Sequence, residues 1–358
     1  VTRHPRRTLS ALVGLIAVAA LLAGCGSSST STAKSTDTTT VPGGSLPPPS
    51  GVTLTVAYSA WPGWFPLAVA EQKGFFDEAG VKVDLKFFAD YTASLDALVA
   101  GQVDVNTQTL NDTMFGVAAG NDQKIFAVND NSTGNDAVIC DQSITTVPGL
   151  KGKTVAAEAG VVDQFLLLQG LAKEGMTEKD INVQGVKTDA AAAAFAGGQF
   201  DCVAVFAPFT VQALTRPGSH VLFSSAEFPG VIPDHLVATA AAAQKRPGDL
   251  QRLVNAWYTT LDWIKANPGE ATRIMADKAA LSPTDYDSLA KGTTIFTPGQ
   301  ALNAFGDRAG DTTSLPEMAR RINPFLVDSG IAQKEANVDG LFLPEFTQAY
   351  VDAHGSGS

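Results

Sequence analysis

The chain of 358 residues is long enough for about two domains, and its 45% hydrophobic content supports sizeable cores and argues against wholesale disorder. Charged residues make up only 17%; the formal charge is −11, and loss of the first 25 residues would remove Arg3, Arg6 and Arg7 and no acid, leaving −14. A body this acidic repels phosphate backbones and anionic headgroups, which argues against nucleic acid as a partner and against adsorption on lipid, while four histidines and three cysteines leave little room for a dedicated metal site.

Residues 1–24 read as an export signal. Arg3, Arg6 and Arg7 form a basic start, and Leu9 to Ala23 is an uncharged, mostly apolar run of 15 residues. That is too short for a spanning helix, which needs about 20 residues. Leu22-Ala23-Gly24-Cys25 resembles the bacterial lipobox, in which the cysteine sulfur is acylated and the leader is cut just before it. Residues 25–50 are rich in Ser and Thr and end on Pro47-Pro48-Pro49. They cannot form a core and suit a flexible tether between lipid and folded body. The expectation is an exported protein held at the outer face of the bacterial cytoplasmic membrane through its lipid alone.

The body contains a repeat. Leu54-Thr55-Val56-Ala57 is echoed by Lys153-Thr154-Val155-Ala156, and Gly101-Gln102-Val103-Asp104 by Gly198-Gln199-Phe200-Asp201. The spacing drifts only from 99 residues (Leu54 to Lys153) to 97 (Gly101 to Gly198). Helical patterns over 66–79 and 162–174 follow the first strands and stop at Gly80 and Gly175. Strands over 81–85 and 181–186 come next, then helices over 93–100 and 190–196. Each half therefore reads strand–helix–strand–helix–strand, which builds a mostly parallel sheet covered by helices. Ligands of such sheets sit at the carboxyl ends of the strands, near helix N-termini.

A strand over 136–140 reads as leaving the first lobe, and one over 235–239 as following the second. Beyond it the chain is almost wholly helical from Gly248 to Ala353, with Leu250, Leu253, Val254 and Trp257 at helical spacing, so Trp257 is expected in the core. The predicted fold class is α/β: two doubly wound lobes about a hinged cleft, with extra C-terminal helices on lobe one. Lobe one takes 51–136 plus 240–354 and lobe two 137–239, with crossings near Asn135 to Cys140 and Asp234 to Thr239. Cys140 and Cys202 lie in apolar, strand-like runs and are either bridged or two buried thiols.

Catalytic signatures are missing. Gly152-Lys153-Thr154 lacks the upstream glycine of a phosphate loop, which would fall at Val147, and a strand follows it rather than a helix. There is no nucleophile elbow, zinc-protease motif or close Cys/His set. His235 beside Asp234 reads as structural. No cofactor and no metal are expected.

Trp61-Pro62-Gly63-Trp64-Phe65-Pro66-Leu67-Ala68-Val69-Ala70 with Lys73-Gly74-Phe75-Phe76, Ser94-Leu95-Asp96-Ala97-Leu98, Asn131 to Ala137, Leu150 to Val155, Ile232-Pro233-Asp234 and Trp263 to Glu270 occur in order. Together they resemble substrate-binding lipoproteins of the nitrate/sulfonate/taurine type, relatives of thiamine-pyrimidine-precursor binders. The resemblance implies a monomer that captures a small polar organic solute between two lobes and delivers it to the permease of an ABC importer. An enzyme on the same scaffold and a sensory lipoprotein are the alternatives. The expected ligand contacts are Trp61, Asn111, Ser132, Glu158 and Asp234, with Trp64, Gly160 and Val161 beside them; one of the two tryptophans is expected in the core. Glu158 departs from an anion site, because it brings a carboxylate where a nitrate or sulfonate would need donors.

Overall fold

The alternation of short apolar runs with helical segments resolves into eleven strands among residues 47–357, the part of the chain that the computed structural model describes. The export signal, Cys25 and most of the tether lie outside the described residues. The strands are β1 (Leu54–Ser59), β2 (Val83–Phe88), β3 (Val105–Thr109), β4 (Gln123–Ser132), β5 (Asp136–Cys140), β6 (Thr154–Ala157), β7 (Asn182–Gly185), β8 (Cys202–Phe206), β9 (His220–Ser224), β10 (Pro233–Thr239) and β11 (Thr293–Ile295). They form two sheets, ordered β11-β4-β10-β3-β1-β2 and β7-β6-β8-β5-β9.

The repeat is visible in both. β2-β1-β3 and β7-β6-β8 run parallel, and in each sheet a strand from elsewhere in the chain pairs antiparallel with the third, β10 with β3 and β5 with β8. The echoed aspartates have one job. Asp104 Oδ2 accepts the Thr55 N–H at 2.9 Å and Asp201 Oδ2 accepts the Thr154 N–H at 2.8 Å, each tying the start of a third strand to the start of a first. Gly101 and Gly198, which open these segments, take φ of +66° and +81°, where a side chain would be strained.

Three features differ from the sequence reading. The helix after β1 runs Pro66–Lys73 and ends at Gly74, in the left-handed region, before a short turn of helix over Phe75–Glu78; the first glycine able to cap it does so. The strand over 233–239 lies between β3 and β4 of the first sheet rather than at the end of lobe two. The chain thus crosses between sheets over 133–135 and 225–232, just before the segments expected to cross. Last, the helical C-terminal part contains β11, which extends the first sheet beyond β4.

The long helix Pro247–Ala266 buries Leu250, Leu253, Val254 and Trp257, as its periodicity predicts. Helix Leu315–Asp328 packs on Leu110–Ala118 of the first lobe, and its Phe325 ring meets Phe165 of the second lobe at 5.6 Å. The crossings are stitched together: Ser225 Oγ lies 2.7 Å from Ser132 Oγ and accepts the Gly134 N–H at 2.8 Å. Asn135 Nδ2 donates to the Leu289 carbonyl and to Thr293 Oγ1, both at 2.8 Å.

Cys140 and Cys202 face each other on β5 and β8, are fully buried and form a disulfide. The bridge spans a sequence separation of 62 residues, which in the chain-entropy account removes about 4 kcal/mol of freedom from the unfolded state. The double substitution Cys140→Ala with Cys202→Ala should lower the unfolding free energy by about 2–4 kcal/mol. Urea denaturation of the two proteins reads this directly, and a loss below about 1 kcal/mol would show that the bridge does not secure the second sheet.

Candidate functional site

The carboxyl ends of the strands meet at one cavity between the sheets. The first lobe contributes Trp61 and Trp64 after β1, Tyr91, Thr109 at the end of β3, and Asp234 near the start of the antiparallel β10. The second contributes Asp136 at the start of β5, Val162 at the start of helix Val162–Lys173, and Phe206 at the end of β8. These atoms surround about 230 Å³ of space, mouth included, of which about 10 Å³ admits the centre of a water molecule. That is about one water, so the lobes are drawn close together.

The turn after β1 builds one wall. The N–H groups of Trp64 and Phe65 return to the Trp61 carbonyl at 3.0 and 3.2 Å, and Trp61 Nε1 donates to Asp130 Oδ1 at 2.9 Å. A Cβ on Gly63 would lie 1.9 Å from Asp130 Oδ2, so only glycine lets this turn seat on the aspartate. Trp64 packs on Tyr91 with ring centroids 5.5 Å apart, and Tyr91 meets Phe206 edge-on across the cleft at 6.0 Å.

The polar lining is acidic. Asp112, just behind it, accepts from Tyr91 Oη at 2.9 Å, Thr109 Oγ1 at 2.8 Å and Asn111 Nδ2 at 2.7 Å. The backbone N–H of Val162, from the opposite lobe, favours its ionised form. Asp130 and Asp234 lie close together, and the Asp130 charge disfavours ionisation of Asp234. Both Asp234 oxygens and Oδ2 of Asp130 and Asp136 are buried without a protein partner, as is Trp64 Nε1. Burial in this dry, aromatic setting pushes the Asp112, Asp130 and Asp136 carboxyls up to about 7. It raises Asp163 and Asp234 further, helped by the neighbouring carboxylates. His235 is pushed down to about 3 by burial and sits 3.1 Å from Thr113 Oγ1, a neutral residue of the core. Among the described residues no group of three His, Cys, Asp or Glu side chains could hold a metal ion.

Of the residues expected at the site, Trp61, Trp64 and Asp234 line the cavity, and both tryptophans do so rather than one. Val161 caps the helix whose next residue, Val162, forms the lining; its carbonyl accepts the Phe165 N–H. Gly160, at φ +78°, turns the chain into that helix, and its N–H goes to Gln164 Oε1 at 2.8 Å. Asn111 acts one step back, through Asp112. Ser132 belongs to the crossing. Glu158 lies outside the lining: Oε2 accepts from the Thr188 N–H and hydroxyl, and Oε1 from Thr92 of the first lobe and from Lys187. Lys187 also reaches Asp90 of the first lobe at 3.0 Å. Glu158 is therefore part of a clasp between the lobes. Asp130, Asp136, Tyr91, Thr109 and Phe206 are not among the expected contacts; the strand-end rule marks the neighbourhood of Thr109 and Phe206, Asp136 falls in the Asn131 to Ala137 stretch, and nothing local marks Asp130 and Tyr91.

Asp136 keeps its proton to about pH 7 in the fold, whereas its ordinary value is 3.8. Stability from this group is full below the unfolded value and is lost as pH rises through about 7. Asp136→Asn in the solute-free protein should remove a fall of about 1.4 kcal/mol per pH unit across that window. Denaturant titrations at pH 5, 6 and 7 measure the slope; an unchanged slope would mean that Asp136 ionises freely.

Relatives of known name bear on this geometry. The putative aliphatic sulfonates-binding protein of Bacillus subtilis (strain 168) is 24% identical over 288 residues, 79% of this chain and 82% of its own length. The taurine-binding periplasmic protein of Escherichia coli (strain K12) is 25% identical over 260 residues, 70% and 80% of the two chains. The alkanesulfonate-binding protein SsuA from Xanthomonas axonopodis pv. citri, solved bound to MOPS, superposes with a TM-score of 0.69 at 18% identity, over 81% of this chain and 97% of that one. This last likeness shows a shared periplasmic-binding-protein fold. The family model described as NMT1/THI5 like matches residues 61–271, more than half of the sequence, and the chain belongs to that family.

Proposed function

We propose that this protein is an extracytoplasmic solute-binding lipoprotein that captures a small polar organic solute between its lobes and delivers it to the permease of an ABC importer. The observation that carries the reading is the cavity walled by both lobes at the carboxyl ends of their strands. A solute there touches Trp61 and Asp234 on one side and Asp136 and Phe206 on the other, so it binds the closed form better than the open one. That difference in affinity drives closure. The sulfonate- and taurine-binding names of the relatives support the same class of activity. Binding without turnover is favoured because none of the cavity-lining residues is a serine, cysteine, lysine or histidine. The hinge is the pair of crossings at 133–135 and 225–232, and the protein works as a monomer.

Two measurements test this. Saturating solute should shrink the radius of gyration in small-angle scattering as the lobes close about the crossings; a radius identical with and without bound solute would exclude hinge closure. Cys25→Ser should move the protein from the membrane fraction to the soluble one, since among the described residues no helix is long and apolar enough to cross a membrane. Retention of the cleaved mutant on the membrane would refute the lipid anchor.

A further inference from the structure

Resting on the reading of the cavity as the solute site, we infer that its solute presents a cationic nitrogen group with several N–H donors, an ammonium or a guanidinium-type group, to Asp136 and Asp234 beside the Trp61 and Trp64 rings.

Four observations converge. First, Asp136 and Asp234 face each other from different lobes, are 3% and 1% exposed, and present three oxygens with no partner among the protein's own donors. A buried carboxylate oxygen without a donor is costly, and a charged donor offsets that cost best. Second, no lysine or arginine lines the cavity; the cation beside the cluster, Lys187, is held by Asp90 and Glu158. Third, the place where an anion would bind, the start of helix Val162–Lys173, already faces the chain's own acceptors. The Gly160 N–H goes to Gln164, and the Val162 N–H favours the ionised Asp112. A sulfonate there would sit beside the Asp112 carboxyl, held by Tyr91, Thr109 and Asn111, and among further acids. Fourth, the remaining walls carry the rings of Trp61, Trp64, Tyr91 and Phe206, and an aromatic face attracts a cation by about 0.5–2 kcal/mol. Bare carboxylate oxygens select donors as well as charge, so a quaternary ammonium fits less well than a protonated amine.

The pH dependence follows from the same cluster. The groups facing the cavity or its first neighbours are Asp112, Asp130, Asp136, Asp163, Asp234, Glu158, Tyr91 and Lys187. In the solute-free protein burial keeps protons on the aspartates up to about pH 7. A cation takes the place of those protons, so binding releases protons and tightens as pH rises from 5.5 to 8.

The test is calorimetry of the purified chain at pH 5.5 and 8 with agmatine, putrescine, guanidine and tetramethylammonium, alongside ethanesulfonate and taurine. The inference expects agmatine, putrescine or guanidine to bind, more tightly at pH 8, with proton release seen as a heat that changes with the buffer. It expects tetramethylammonium to bind more weakly and ethanesulfonate not at all. Asp234→Asn should weaken the bound amine or guanidine at least tenfold, with Asp136→Asn as the second variant should Asp234→Asn not fold. Saturable binding of ethanesulfonate with no response to the amines or guanidine would overturn the cationic assignment and leave the solute-binding reading standing. Silence toward every compound would count against both. Amine binding unchanged by both substitutions would place the cation elsewhere and overturn the inference.

Discussion

Each sheet is completed by a strand that the chain reaches only by crossing from the other lobe. β5 arrives from β4 and pairs with β8, and β10 arrives from β9 and inserts between β3 and β4. Neither lobe can finish its hydrogen-bonded ladder without the exchange, so the lobes fold as partners and stay joined by two short segments. The hydroxyl of Ser225 on the second segment bonds to Ser132 and to Gly134 on the first, which ties the two crossings together. The acids that matter sit beside them, Asp136 one residue past the first crossing and Asp234 one residue into β10.

The electrostatic consequence is a concentration of acid at the cleft. Five aspartates from separate elements converge in a space walled by aromatic rings, and their mutual repulsion is relieved by protons, by hydroxyl donors or by a cation. Tyr91 and Thr109 quiet Asp112, and Thr188 quiets one oxygen of Asp163. Asp130 accepts from Trp61. The unpartnered oxygens of Asp136 and Asp234 face the cavity. The same desolvation that makes this cluster expensive in the solute-free protein makes it selective, because low dielectric strengthens the attraction for the right charge as much as the repulsion of the wrong one.

The clasp formed by Lys187, Glu158, Thr92 and Asp90 works at the rim. Glu158 is buried while Lys187 and Asp90 are about half exposed, so screening keeps the contribution of the exposed pair small. The rim contact between the lobes is therefore a weak one.

Much of this architecture was legible in the chain. Local periodicity and glycine stops gave two strand–helix–strand–helix–strand halves, because side chains two, three or four residues apart report directly on a strand or helix face. The Gly-Gln-x-Asp echo marked the equivalent third strands, and Trp61, Trp64 and Asp234 were readable as loop and strand-end residues near a cleft. What only the tertiary structure decided are pairings between distant segments. Glu158 reads locally as an acid near a helix start, yet its partners Thr92, Lys187 and Thr188 lie 66, 29 and 30 residues away. Asp130 and Asp136 read as acids flanking apolar runs and become site residues only when β10 and β8 are laid beside them. The departure of β5 from the first lobe was legible, whereas the insertion of β10 between β3 and β4 was not, since an apolar strand buried on both faces carries no mark of which sheet it joins. Sequence spacing records what a residue does within its own element; which element it meets is settled by the one arrangement that buries both sheets and satisfies their ladders.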